Sequence, residues 1–451
     1  MDGDVCQSPN VKAGSEWRNF FKQSAVICFA VISTAVIFYL TLQLAAWIKE
    51  LIFPAMELVI PRWISITFFV FLSIYLVGII FPFMLFLGWR QLKYPSQVTD
   101  DQTTPFVTLV IPAYNEQDTM AKSLKSALEQ DYPNYEIIVV DDGSMDFTPF
   151  TVDNDSIRFI RLRRNRGKAA ALNVGIDQAK GDIIMFSDSD SRLDKSALRY
   201  MVQHFNDPTV AAVAGKVCVT NSNIMLECWQ NLEYLQAQTI MKQAQIGSGG
   251  SVTVCPGPVC AVRRTVLIEM GGYKDRTLVE DFDATLEIIG RDYRAVYEPR
   301  AIAWTNVPRR WQVLGSQRTR WYRGNLQVLS QYRDILLRPS AGAIGMFWMP
   351  YSLLSGFAAI LLEVAMLASF PFLLYFSGAA LKLLGLGLII LALIELMVSI
   401  QYLIALAFER ALKPKLIFAA LTVKPYNLFL AWIRLVAMYR EAKRQEATWA
   451  G

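Results

Sequence analysis

The chain has 451 residues, 53% of them hydrophobic and 18% charged. A soluble globular chain carries about 25% charge, so part of this one is expected in a bilayer. The net charge of +5 suits a membrane protein with cytoplasmic Lys and Arg, and is too small to point to nucleic acid. The single histidine, His204, excludes a multi-histidine zinc site; it lies in a helical-looking run and reads as structural, which leaves acid–base chemistry to carboxylates.

In chain order, residues 1–23 read as a cytoplasmic tail. Residues 24–48 are almost uncharged, and 65–89 are apolar, aromatic and uncharged. Each exceeds the roughly 20 residues that span a bilayer, so 24–89 is expected to hold two transmembrane helices. From 90 to 340 the composition becomes that of a soluble α/β domain. Strands are predicted at Val107–Ile111, Glu136–Val140, Ile157–Leu162, Asp182–Phe186 and Thr209–Val213, with helices at Asp118–Gln130 and Lys168–Gln178. Such alternation implies βαβ units, a mostly parallel sheet, and ligands at the carboxyl ends of its strands.

Residues 341–451 are hydrophobic again. Gly342–Ser377, split by Pro350, reads as an interfacial piece followed by one span, and Leu381–Phe408 as another span. Ile417–Met438, interrupted by Lys424-Pro425 and Arg434, either spans or lies in the interface. Arg90 and Lys93 after the second apolar stretch place the large domain in the cytoplasm, with the chain anchored in the plasma membrane. The six cysteines show no CxxC spacing and read as buried small apolar residues in a reducing compartment; Cys255 and Cys260 flank a Pro-Gly-Pro turn.

The chemistry-bearing residues fall at strand ends. The first strand runs into Pro112-Ala113-Tyr114-Asn115-Glu116 and the second into Asp141-Asp142-Gly143. Two acids and a glycine there can receive a nucleoside, since a carboxylate accepts a base N–H and glycine admits close approach; an ordinary Asp-Gly turn is the plainer reading. Pro112, Ala113, Tyr114, Glu116 and Asp141 are the expected nucleotide-sugar contacts, with Lys168. That lysine ends the basic run Arg161–Lys168 and opens a helix whose N-terminus suits a diphosphate.

The fourth strand ends in Asp188-Ser189-Asp190. Two carboxylates one residue apart fit Mg²⁺ or Mn²⁺ shared with diphosphate oxygens, so Asp188 serves both donor and metal sites and Asp190 the metal. Glu280-Asp281-Phe282-Asp283 begins an amphipathic helix; acids favour a helix start for dipole reasons, and equally one of them can be a general base. Gln317-Arg318-Thr319-Arg320-Trp321 precedes the last apolar region, where Trp stacks on sugars or anchors in the interface.

Together and in this order, these residues resemble the processive family-2 glycosyltransferases, which include cellulose, chitin, hyaluronan and poly-N-acetylglucosamine synthases. Asp141, Asp188–Asp190, Glu280-Asp281 and Gln317-x-x-Arg320-Trp321 correspond to the family's D, DxD, ED and QxxRW motifs. The resemblance implies a GT-A fold inserted between transmembrane segments and a nucleoside diphosphate-sugar donor, usually UDP-linked. It implies Asp141 at the base, Asp188 and Asp190 at the diphosphate and metal, Asp281 as general base, and Gln317, Arg320 and Trp321 near the acceptor. The expected function is inverting polymerisation of a UDP-sugar into a β-linked, exported polysaccharide, with the need for an export subunit left open. The alternative is addition of single sugars to a lipid acceptor.

Overall fold

A computed structural model describes residues 80, 82–86, 104–148, 156–358 and 380–445, plus helical positions 39, 43, 360, 361, 364, 368 and 371. The two spans expected over 24–89 therefore lie almost wholly outside the described residues, as do both chain ends. The longest described stretch there is 82–86, which is helical and mostly buried, with Phe86 edge-on to Phe408 at 5.1 Å.

The strands are β1 (Val107–Ala113), β2 (Tyr135–Asp141), β3 (Ile157–Arg161), β4 (Ile183–Phe186), β5 (Arg192–Leu193), β6 (Val210–Val219), β7 (Cys260–Arg263) and β8 (Arg294–Thr305). They form one sheet in the order β3-β2-β1-β4-β7-β6-β8-β5. Every residue of β1 is buried, as its near-continuous apolar run requires of a strand covered on both faces. Its neighbours β2 and β4 are both parallel to it. The expectation of a mostly parallel sheet holds for β3-β2-β1-β4 and again for β6 and β8, which also run parallel to each other. Beyond β4, β7 runs antiparallel to both β4 and β6, and β5 antiparallel to β8.

The helices of the domain are α1 (Met120–Leu128), α2 (Lys168–Gln178), α3 (Ala197–Val202), α4 (Met225–Leu235), α5 (Lys242–Gly249), α6 (Arg264–Met270), α7 (Glu280–Gly290) and α8 (Trp311–Gln331). One core packs Met120 and Leu124 of α1 and Met201 of α3 on Leu109 and Ile111. The opposite core packs Leu172 and Ile176 of α2 and Phe282 of α7 on Val110, Ile184 and Phe186. Alternate residues of β1 thus serve opposite faces, as the two-residue strand period dictates.

The C-terminal region holds α9 (Met349–Leu353), α10 (Ala380–Phe408), α11 (Pro414–Leu421) and α12 (Lys424–Ala442). Pro350 lies inside a continuous helical run, where it supplies no N–H to the ladder, and π-helical turns flank α9 on both sides. The segment read as Ile417–Met438 is two helices, bent by 57°, because Pro425 opens the second of them. This pair together is long and apolar enough to cross a membrane; no single helix is, among the described residues. Helix α12 packs along α8, where Glu441 accepts from Arg323 Nε at 2.9 Å and from Gln327 Nε2 at 3.0 Å.

Candidate active site

The carboxyl ends of β1 and β4 and the starts of α2 and α7 converge on one cleft, whose lining does not include Asp141 at the end of the neighbouring β2. Asp141 ends β2 and is fully buried. Its Oδ1 accepts from the Ser144 amide at 3.1 Å and from the Ser144 hydroxyl. Its Oδ2 lies 3.2 Å from Arg161 Nε yet accepts no hydrogen bond. The Arg161 guanidinium meets the charge of this buried oxygen without hydrogen-bond geometry.

Asp142 does a different job from the one its sequence position implies. Its two oxygens accept the amides of Arg166 and Gly167, each at 2.8 Å, so it ties the basic loop to β2 and is not open to a base. Burial raises its carboxyl above the usual range in spite of these bonds. Gly143, at φ +74°, is where the loop crosses: a Cβ there would lie 2.7 Å from the Arg164 carbonyl carbon. Ala113 is buried opposite Asp141 in register, and Tyr114 just beyond it is exposed.

Lys168 opens α2, and its ammonium sits 2.6 Å from Asp188 Oδ1 and 3.2 Å from Glu280 Oε1. Burial favours its neutral form, but Asp188 and Glu280 prevail and hold it charged. Asp190 is exposed and outside the cleft lining; desolvation, then the Asp188 charge, raise its carboxyl. Glu116 is likewise raised, by burial first and, among the charges, by Asp190 and Asp188, while the Thr119 hydroxyl opposes the shift. Negative charge is therefore crowded here. Among the described residues no cluster of three or more His, Cys, Asp or Glu is preassembled for a metal. Two carboxylates suffice for Mg²⁺ or Mn²⁺ when phosphate oxygens complete the shell, so the residues present fit such an ion.

Glu280 and Asp281 both line the cleft. At the first turn of a helix both reach the same space, and the Lys168 ammonium draws Glu280 in. The two differ electrostatically. Burial would raise Glu280, but Lys168, with help from Arg320, holds it low. Asp281 is raised to about 6 by burial and by the Glu280 charge. Its Oδ1 accepts the Phe282 amide at 2.8 Å and its Oδ2 faces the Gly257 amide at 3.4 Å. Asp283 points elsewhere, buried against Arg276 at 2.7 Å and bonded by the Tyr332 hydroxyl at 2.7 Å.

Pro112, Cys255, Gly257 and Cys260 complete the lining together with Leu172, Phe186 and Tyr273. Cys255 and Cys260 are buried as expected, but they form a wall of the cleft rather than distant core. The Cys255 amide donates to Thr285 Oγ1 at 2.9 Å, which fastens the Pro-Gly-Pro turn to α7. The signal for this turn was its glycine: a Cβ on Gly257 would lie 2.8 Å from Lys168 Nζ.

Gln317, Arg320 and Trp321 lie on α8, each half-buried. Arg320 reaches the site through its field at Glu280. Gln317 and Trp321 are held by Arg318, which sequence reasoning passed over as one of the variable positions between Gln317 and Arg320. His204 is outside the cleft, bonded to Glu298 Oε2 at 2.9 Å.

Residues 108–271 match the Glycosyl transferase family 2 profile. The chain is 33% identical over 269 residues to a poly-beta-1,6-N-acetyl-D-glucosamine synthase of Staphylococcus aureus (strain MSSA476), a match covering 58% of this chain and 64% of that protein. It is 32% identical over 267 residues to the Staphylococcus epidermidis protein of the same name, with the same coverage of 58% and 64%. The chain thus matches less than two thirds of the length of these curated relatives. Among solved structures, a mannosyltransferase from Pyrobaculum calidifontis, in complex with GDP-Man and Mn²⁺, superposes with a TM-score of 0.61 over 84% of this chain and 98% of that one. At 22% identity this is a likeness of fold.

Proposed function

We propose that this chain, whose residues 108–271 are a glycosyl transferase family 2 domain, is a membrane-embedded inverting glycosyltransferase. In this reading it moves N-acetylglucosamine from UDP-N-acetylglucosamine onto a growing β-linked polysaccharide. The observation that carries it is the cleft in which Lys168 pairs with Glu280 at 3.2 Å while burial and the Glu280 charge raise the adjoining Asp281 to about 6. The choice of sugar draws on the names of the relatives.

Asp141 accepts an N–H of the uracil base, its Oδ2 turning from the Arg161 guanidinium that it faces at 3.2 Å. Lys168 turns from Asp188 toward the diphosphate, at a helix N-terminus that favours anions. Pro112, Ala113, Tyr114 and Glu116 border this donor site. Asp188 and Asp190 would hold Mg²⁺ or Mn²⁺, and the mannosyltransferase of like fold carries Mn²⁺. Such an ion, when bound, neutralises charge on the leaving diphosphate.

Asp281 takes the proton from the acceptor hydroxyl as that oxygen attacks the anomeric carbon. A carboxylate raised to about 6 is ionised at neutral pH, yet more basic than an ordinary aspartate. Attack opposite the leaving diphosphate inverts the centre and gives a β-linkage from an α-linked donor. Gln317, Arg320 and Trp321 bind the acceptor end of the chain. The apolar stretches 24–48 and 65–89, with the bent pair α11–α12, supply the membrane part and a route for the polymer.

The test is a panel of UDP-sugars given to the purified protein in nanodiscs with Mg²⁺ or Mn²⁺, reading UDP release and product size. UDP-N-acetylglucosamine should be turned over to long products. No turnover, or a product that stops at one added sugar, refutes the reading.

A further inference from the structure

We infer that Arg318 is a positioning residue that aims Gln317 and Trp321 at the acceptor sugar; this rests on the reading of α8 as the acceptor element. Arg318 is fully buried in the middle of α8. Its Nη2 and Nε meet the two carboxylate oxygens of Glu233 on α4, at 2.7 and 3.3 Å. Its Nη1 donates to Gln317 Oε1 at 2.5 Å. The guanidinium lies over the Trp321 ring at 4.1 Å from its centroid. The Tyr426 hydroxyl of α12 also donates to Glu233 Oε2, so the anchor is itself held from a second helix.

One planar cation therefore fixes both side chains. A guanidinium has donors only, so the Gln317 carbonyl oxygen must face it and the Gln317 NH₂ must face away. Gln317 is thereby presented as a hydrogen-bond donor, suited to a sugar hydroxyl or an acetamido carbonyl. The indole is clamped between stacking on the guanidinium and packing against the core, which fixes the part of the half-buried ring that can meet a sugar. A buried ion pair adds little net stability over a well-packed apolar pair, so orientation is the property this pair supplies. Lysine could not replace it, because a point charge has neither the fork nor the flat face.

The test uses the full chain in nanodiscs, with UDP-N-acetylglucosamine as donor and a β-linked N-acetylglucosamine oligosaccharide as acceptor. The double variant Arg318→Met with Glu233→Leu removes both charges together and leaves neither buried alone. It should melt near the wild-type temperature and bind UDP as the parent does. Its acceptor KM should rise about tenfold or more, as for a lost hydrogen bond and misplaced ring, and its products should be shorter. Gln317→Glu keeps the Arg318 bond but has no NH₂, so it should show the same acceptor defect in a fully folded protein. Arg318→Lys should fall nearer the double variant than the wild type. A double variant with wild-type acceptor KM and product length overturns the positioning role while leaving the functional reading intact. A wild-type protein that turns over no donor overturns the functional reading, and this role with it.

Discussion

Lys168 and Glu280 form a 3.2 Å ion pair across the cleft, and this contact separates two adjoining carboxylates into different chemical states. Glu280, which burial alone would raise, is held below the usual carboxylate range by that cation, whereas Asp281 is raised to about 6 by burial and by the Glu280 charge.

The first consequence is a pH profile. A base works only when deprotonated, so kcat/KM should fall about tenfold per pH unit below about 6. Glu280→Gln removes a charge that raises Asp281, and should move this acid limb to lower pH. Asp281→Asn should be slower by at least about 10²-fold and lose the limb altogether. Rates of the three proteins between pH 5 and 8 decide it; a limb that survives in Asp281→Asn places the titrating base elsewhere.

The same shift predicts a stability gain on removing the base. The folded value of about 6 stands above the ordinary 3.8, so folding disfavours the ionised form. The penalty is absent below the unfolded value, grows between about pH 4 and 6, and is complete above that. It amounts to roughly 3 kcal/mol at pH 7, at 1.36 kcal/mol per unit. Asp281→Asn should therefore melt higher than wild type at pH 7.5, with a smaller difference at pH 5. Thermal melts at the two pH values read this directly, and equal melting temperatures at pH 7.5 would count against a strained carboxylate.

Gly257 is needed for space. A Cβ there would meet Lys168 Nζ at 2.8 Å and both Asp188 oxygens at 3.1 Å. The lysine end is flexible, so Gly257→Ala should fold with a nearly normal melting temperature. Displacing Lys168 from the donor site should raise the KM for the nucleotide-sugar by about tenfold, as for a weakened charge-assisted contact. Steady-state kinetics with varied donor measure it; an unchanged KM would mean that Lys168 does not meet the donor.

Crowded charge at the end of β4 predicts dependence on a divalent cation. Chelation should stop transfer, and Mg²⁺ or Mn²⁺ should restore it. Asp190→Asn should abolish transfer while the protein still elutes as a folded species in detergent. Calorimetric titration of Mn²⁺ in the presence of UDP should lose its binding heat in this variant. Transfer by Asp190→Asn at the wild-type rate, with metal dependence unchanged, would refute the assignment.

Much of the parallel half of the sheet was legible in the sequence. Five predicted strands begin within one residue of β1, β2, β3, β4 and β6, and α2 matches at both ends. Apolar runs of strand length between helical patterns are a local signal, and β1 is buried on both sides as such a run demands. The antiparallel return through β7 was not legible, because pairing direction depends on how a distant segment approaches the sheet edge. The bend between α11 and α12 was half visible in Lys424-Pro425, but its angle depends on packing against α8 and α4.

The sequence by itself determined which residue types stand at the strand ends and in what order: Asp141, Asp188, Asp190, Glu280-Asp281 and the Gln317–Trp321 segment. These follow from composition and spacing along one chain. Tertiary structure alone decided their division of labour. Asp142 became a brace for the basic loop because two amides of that loop reached its oxygens. Glu280 and Asp281 parted because Lys168, 112 positions away from the first, arrives beside only one of them. Arg318 gained its place from Glu233 and Tyr426, which lie on two other helices. Charge state and orientation depend on which partner is within a few ångströms, with energies that fall off steeply with distance and exposure, and that is a property of the folded chain.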